Sequence, residues 1–124
     1  MIAADTSSLS AFFAGESGSD VALVRAALRT QNICLPPVVL TELLSDPVVP
    51  KAMTDTVTKF PLLPALEGYW ARTGDARRLL RKRGHKAKVG DALIAQSCID
   101  HDVALITRDI DFRHFAKHCG LKLA

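Results

Sequence analysis

No apolar run in this chain approaches the ~20 residues needed to cross a bilayer, so the sequence offers no membrane-spanning helix. A basic, signal-like start is also missing. The N-terminus reaches Asp5 at once, and no secretory leader is read there. Cysteine is sparse: Cys34, Cys98 and Cys119 are odd in number and widely spaced, which fits a reducing cytoplasm. Cys34 and Cys98, in apolar surroundings, read as small core residues. There is one Tyr and one Trp, adjacent as Tyr69-Trp70, and nothing around them makes a base-stacking platform; they read as core or interface residues. His114 and His118 lie four apart beside Cys119, which imitates a zinc fragment. No glutamate follows His114 as a base and no second ligand pair is in view, so a surface or packing role is expected. His85 and His101 carry no readable signal. Linkers, internal repeats and low-complexity segments are absent, and a single compact domain over residues 1–124 is expected.

The chain does have ample apolar content. Its hydrophobic fraction of 48% supplies a sizeable core and argues against disorder. The net charge of +3 is modest, but its distribution is uneven. Eight of the 16 Lys and Arg residues fall between Arg72 and Lys88 against one acid, Asp75, a local +7 that leaves the rest at −4. Such a stripe is either a solvated helix face or the footprint of a polyanion. Its position just before Asp91 favours nucleic acid.

Short apolar segments alternate with helical spacing. Residues 2–5 read as a buried strand ended by Asp5, with Thr6, Ser7 and Ser8 capping a helix from Leu9 to Phe13. Val21, Val24 and Leu28 mark a helix from Asp20 to about Arg29. Ile33-Cys34-Leu35 is a second strand stopped by Pro36-Pro37, followed by helices over Val38 to Leu44 and about Val49 to Thr58. Phe60 to Leu63 reads as an edge strand because of its prolines. A long helix from about Leu66 to Arg83 ends at Gly84. Asp91 starts an apolar helix over Ala92 to Ile99, Val103 to Ile106 is the clearest strand, and a short helix spans Phe112 to His118. Leu121-Lys122-Leu123 is a candidate last strand. The alternation predicts an α/β three-layer sandwich, a short and mainly parallel central sheet flanked by helices.

Four carboxylates sit at the edges of these segments: Asp5, Glu42, Asp91 and Asp109. In parallel sheets ligands bind beyond the carboxyl ends of the strands, where Asp5 and Asp109 each follow a strand. Taken singly, Asp5 and Asp91 read as helix N-caps and Asp109 as a turn former. Glu42 is expected in largely core surroundings beside Leu40, Leu43 and Leu44. Asp111 reads first as a cap for the helix containing Phe112, and second as a group reaching the site through water. Taken together, several acids next to core residues need a shared cation. Hard oxygen ligands favour Mg²⁺, with Mn²⁺ able to substitute, and such a metal commonly serves phosphodiester hydrolysis. Thr6, Ser7 and Thr107 flank the acids as candidates for hydrogen bonds that fix them.

Asp5-Thr6-Ser7 after the first strand, Thr41-Glu42-Leu43, Gly90-Asp91-Ala92-Leu93-Ile94-Ala95 and a strand ending Thr107-Arg108-Asp109 before Asp111-Phe112 together resemble a PIN-domain ribonuclease. More narrowly, the chain is similar to the VapC toxins of toxin–antitoxin pairs, over residues 2 to about 123. Ser7 stands where many relatives carry Asn, and keeps a hydrogen-bonding oxygen. The resemblance implies Mg²⁺-dependent cleavage of RNA by an activated water, leaving a 5′-phosphate and a 3′-hydroxyl. Asp5 and Asp91 would contact the metal directly; Glu42 and Asp109 would bind through water, hold a second ion or orient the nucleophile. Arg83, Lys86, Lys88 and Arg108 are the candidates for gripping the RNA backbone, single-stranded or looped. The resemblance also implies a cognate antitoxin that places a basic side chain among the acids, and a homodimer formed through helices between residues 20 and 60.

Two alternatives use the same acids. A dehalogenase-type phosphatase needs Asp-x-Asp after its first strand, and Ser7 occupies the second position; a receiver domain needs a phosphorylatable Asp after a mid-chain strand, and Asp55 follows none. A non-catalytic RNA- or protein-binding module of the same fold would have no need of all four acids.

Overall fold

The computed structural model describes residues 1–124. Its elements run β1 (Ile2–Ala4), α1 (Thr6–Phe13), α2 (Ser19–Arg29), β2 (Ile33–Cys34), α3 (Pro37–Leu44), α4 (Lys51–Val57), α5 (Tyr69–Lys82), α6 (Val89–Asp100), β3 (Leu105–Ile106) and α7 (Phe112–Cys119). The three strands form one parallel sheet in the order β2-β1-β3. Ile2 pairs with Ile33 and Ala3 with Cys34 on one side; Ala3 pairs with Leu105 and Ala4 with Ile106 on the other. Successive residues of a strand face opposite sides of the sheet, and Ala3, Ala4, Leu105 and Ile106 are all fully buried. Both faces are therefore covered by helices, as parallel sheets require. The predicted α/β sandwich is the fold observed.

A core of 24 buried residues joins the sheet to the helices, with Leu9, Val24, Val39, Leu80, Phe112 and Phe115 among its members. Cys34 and Cys98 belong to it and are free thiols. Helix α6, with six buried residues, packs on α3, α5 and α7. Arg72 on α5 grips Asp100 of α6 through two hydrogen bonds of 3.0 and 2.7 Å, and Gln96 donates to the same carboxylate at 2.8 Å. Tyr69 adds a 2.7 Å bond to the Leu93 carbonyl. Residues 101–124 then return through β3, beside β1. No helix is long and apolar enough to cross a membrane.

Several boundaries differ from the sequence expectation. Asp5 itself is the N-cap of α1, accepting from the Ser8 backbone N–H at 2.9 Å, so the helix begins at Thr6. The long helix starts at Tyr69 rather than Leu66, because Gly68 takes a left-handed conformation (φ +83) immediately before it. Gly84, at φ +78, follows its C-cap, as expected. Asp91 does not cap its helix. Lys88 is the cap, and Asp91 is the third helical residue, in the first turn. Phe60 to Leu63 and Leu121 to Leu123 each make a single parallel bridge, Leu35 to Leu62 and Leu105 to Leu123, instead of a full strand. Pro61 and Pro64 deprive the first of these segments of ladder donors.

Candidate functional site

The carboxyl ends of β1 and β3 lie side by side, and the chain leaves both strands into polar turns. From β1 it passes into Asp5, which is 2% exposed. The Asp5 carboxylate accepts from Ser7 Oγ at 2.9 and 2.8 Å, from the Ser8 backbone N–H and from Thr107 Oγ1. Burial raises its pKa, and the bonds from Thr107, Ser8 and Ser7 counter that rise only in part. From β3 the chain passes into Thr107, whose hydroxyl oxygen also accepts the Asp109 N–H at 3.0 Å. One threonine thus ties Asp5 to the backbone of Asp109, 104 positions later in the sequence.

Asp91, Asp109 and Asp111 are half-buried, and each offers a carboxylate oxygen within 4.8 Å of the others. Asp109 bends back to accept the Asp111 N–H at 2.9 Å, an Asx turn that brings the two acids onto one side. Asp91 arrives from the first turn of α6. Its pKa is pushed up to about 6, first by burial and next by the charge of Asp109; Lys88 opposes the rise, while Asp111 and Glu42 add to it. A proton held that firmly among three acids marks where a cation would be favoured in its place. The donors are hard oxygens, and their span is one that an ion coordinating at ~2.0–2.6 Å can gather. The residues present therefore fit a divalent cation.

Glu42 approaches from α3. It accepts from Thr6 Oγ1 at 2.8 Å, and its Oε2 lies 3.5 Å from where a side chain on Gly90 would begin. It stands over the start of α6, next to Asp91. The expectation that Glu42 has core surroundings is corrected: helical spacing turns Val39 and Leu43 inward, and Glu42 is exposed on the flank. Asp111 differs as well. It occupies the N-cap position of α7 but makes no capping hydrogen bond; its carboxylate joins the acid group instead.

The cationic residues divide. Lys86 Nζ lies 3.9 Å from Asp111 Oδ2, and Lys88 lies close enough to Asp91 to influence its charge. Arg83 lies near enough to His85 and His118 to lower their pKa. Arg108 points to α2. Its guanidinium binds Asp20 through bonds of 2.8 and 3.1 Å and reaches the Ser17 carbonyl at 3.1 Å. Asp20 is itself buried, receives Ser8 Oγ at 2.8 Å, and is held down to about pKa 2 chiefly by Arg108. Arg108 is thereby occupied as a clamp that fastens the turn bearing Thr107 and Asp109 to the start of α2. Gly18 makes room for it, since a Cβ there would lie 2.6 Å from Asp20 Oδ1. Sequence reading missed Asp20, which resembles any acid in a first helical turn.

The histidines make no metal cluster. His85 stacks on His114 with centroids 4.0 Å apart and on His118 at 5.2 Å, joining the loop after α5 to α7.

Fold and site together define an α/β protein with carboxylates gathered near the ends of parallel strands. The chain belongs to the PIN domain family, whose model matches residues 2–118. PIN domains are generally nucleases that use divalent metals. The fold is also similar to the crystal structure of FitAcB from Neisseria gonorrhoeae, with a TM-score of 0.68 and 16% identity over 99% of this chain and 96% of that one. Comparison with curated proteins gave no match.

Proposed function

We propose that this chain is a metal-dependent endoribonuclease and the toxin of a toxin–antitoxin pair. The observation that carries this reading is the convergence of Asp91, Asp109 and Asp111 beyond the sheet's carboxyl edge, with Asp5 tied to the Asp109 turn through Thr107 and Glu42 tied to Thr6 beside Asp5. Asp91, Asp109 and Asp111 are the group assigned to hold Mg²⁺ or Mn²⁺, and Asp5 and Glu42, outside that group of oxygens, are assigned to complete the site. When bound, such an ion polarises a phosphoryl oxygen and makes a coordinated water more acidic. The chain's own groups do the rest. Asp91, whose proton is held to an unusually high pH by burial and by the neighbouring acids, must lose it to serve as a ligand. Thr107, Ser7 and Ser8 keep Asp5 and Asp109 in place. Glu42, steadied by Thr6, takes the proton of the attacking water. Lys86 and Lys88 at the rim bind RNA phosphates, with Arg83 beyond them.

An apolar cleft of about 320 Å³ supports the antitoxin reading. Val38, Thr41, Tyr69, Trp70 and Leu93 line it, and Trp70 is 70% exposed. Thr41 precedes Glu42 and Leu93 lies two residues after Asp91, so a segment seated there can extend a basic side chain to the acids. Exposed Leu23, Leu44 and Val48 lie within residues 20–60 and support a homodimer through that region.

The test is incubation of the purified chain with an RNA pool in Mg²⁺ or in EDTA. Cleavage in Mg²⁺ alone, with 5′-phosphate ends, is expected. RNA left intact in both conditions sinks the catalytic reading.

A further inference from the structure

Helix α5 carries two unlike surfaces. Its first turn holds Tyr69 and Trp70 at the apolar cleft, whereas its last two turns present Arg77, Arg78, Arg81 and Lys82 around Gly74. Those five residues line a groove with no apolar side chain in it. Gly74 stands inside the helix, where it costs about 1 kcal/mol relative to Ala. No packing requires it, since a Cβ there would meet nothing within 4 Å. Its effect is to keep the floor of the groove clear.

The four cations are differently held. Arg78 makes an exposed 2.8 Å pair with Asp75, both side chains 63% exposed, a contact that water and salt readily replace. Arg81 and Lys82 have no acidic partner. Arg77 donates through Nε to the Ala87 carbonyl at 2.7 Å. Ala87 lies between Lys86 and Lys88, the lysines at the rim of the acid site. One hydrogen bond therefore joins the groove to the segment that carries that rim.

We propose that this groove is a second RNA-backbone contact, which holds the strand on one side of the scissile phosphate and makes the enzyme prefer RNA long enough to reach it. The proposal rests on the nuclease reading of the acid site. Protein partners bury an apolar centre, which the groove lacks and the neighbouring cleft supplies. A phosphate chain needs only cations and room. Arg77, Arg78, Arg81 and Lys82 span about 7.5 Å along the helix axis, a length that matches about two successive phosphates of one strand. This assigns to Arg78, Arg81 and Lys82 a positioning role separate from Lys86 and Lys88.

The test uses Arg78→Gln/Arg81→Gln/Lys82→Gln in the full chain, sparing Arg77 because of its bond to Ala87. Binding is measured by fluorescence anisotropy on a structured RNA of about 30 nucleotides, with Asp91→Asn added to both proteins so that the RNA stays intact. The slope of log K against log salt should lose about 0.7 for each phosphate contact removed. With the acids intact, the ratio of kcat/KM for the long RNA to that for a fragment of about four nucleotides should fall about tenfold, mostly through KM. Circular dichroism should show both folds unchanged. An unaltered salt slope and an unaltered length ratio would overturn the groove, as would lost binding of an acidic polypeptide with RNA binding retained. If wild type cleaves no RNA, the nuclease reading falls, while the anisotropy arm still decides whether α5 holds RNA.

Discussion

Asp91 is a carboxyl group whose folded environment opposes its charge. Its unfolded value is near 3.8 and its folded value is about 6. Between those values the folded protein binds more protons than the unfolded chain, so Asp91 lowers stability as pH rises through this window, and the penalty is complete above it. The full shift would exceed 2 kcal/mol; because the group is half-exposed, solvent screening reduces it to about 1 kcal/mol. Asp91→Asn should therefore raise the melting temperature of the metal-free protein at pH 7.5 and lose that advantage near pH 4. RNA cleavage should vanish in the same variant. Melting curves at the two pH values check the first part; an advantage equal at both would mean that Asp91 titrates normally. Cleavage by wild type should rise from pH 5 to 7 as Asp91 yields its proton.

Helices and turns set the geometry that the acids need. The turn after β3 is fastened by the Arg108–Asp20 clamp, and Asp20 is 8% exposed. Arg108→Ala leaves a buried carboxylate held only by Ser8 and the Val21 backbone N–H, and should cost about 2–3 kcal/mol. The double variant Asp20→Asn/Arg108→Ala should recover part of that loss, because no unpaired charge remains. Urea denaturation of both proteins reads the difference; equal losses would show that the pair is not what holds the turn. These links were not legible in the sequence. The strand Ile2–Ala4, helices α2 and α7, and the stops at Pro36 and Gly84 declare themselves through local periodicity and backbone chemistry. So do the acids Asp5, Glu42, Asp91 and Asp109, which stand beside apolar runs. Arg108 meets Asp20 across 88 positions, and only the tertiary fold decides that it turns toward α2 rather than toward a ligand. Asp111 was under-read for the same reason: a cap and a ligand share one sequence signature, and the Asx turn at Asp109 separates them.

For the whole molecule, the acid group is a site of mutual repulsion that a cation should relieve. Mg²⁺ or Mn²⁺ should raise the melting temperature by binding the folded state alone, a gain of about 2.7 kcal/mol at ~100 times the dissociation constant. Mn²⁺ should act at lower concentration than Mg²⁺. Asp5→Asn/Asp91→Asn should abolish both shifts. Thermal melts with each ion on the two proteins decide the matter, since equal shifts would place the ions elsewhere on the surface.

The central strand has a consequence in time. Asp5 leaves a ribosome about 100 residues ahead of Thr107, Asp109 and the β3 partner of its strand. At ~5–20 residues per second, about 5–20 s separate the synthesis of the two halves. Throughout that interval the nascent chain holds β1 without one of its two neighbours and Asp5 without Thr107. The framework of the site therefore closes only after the segment from β3 to Asp109 has been made, so a growing chain carries the first of these acids well before it carries the arrangement that holds it.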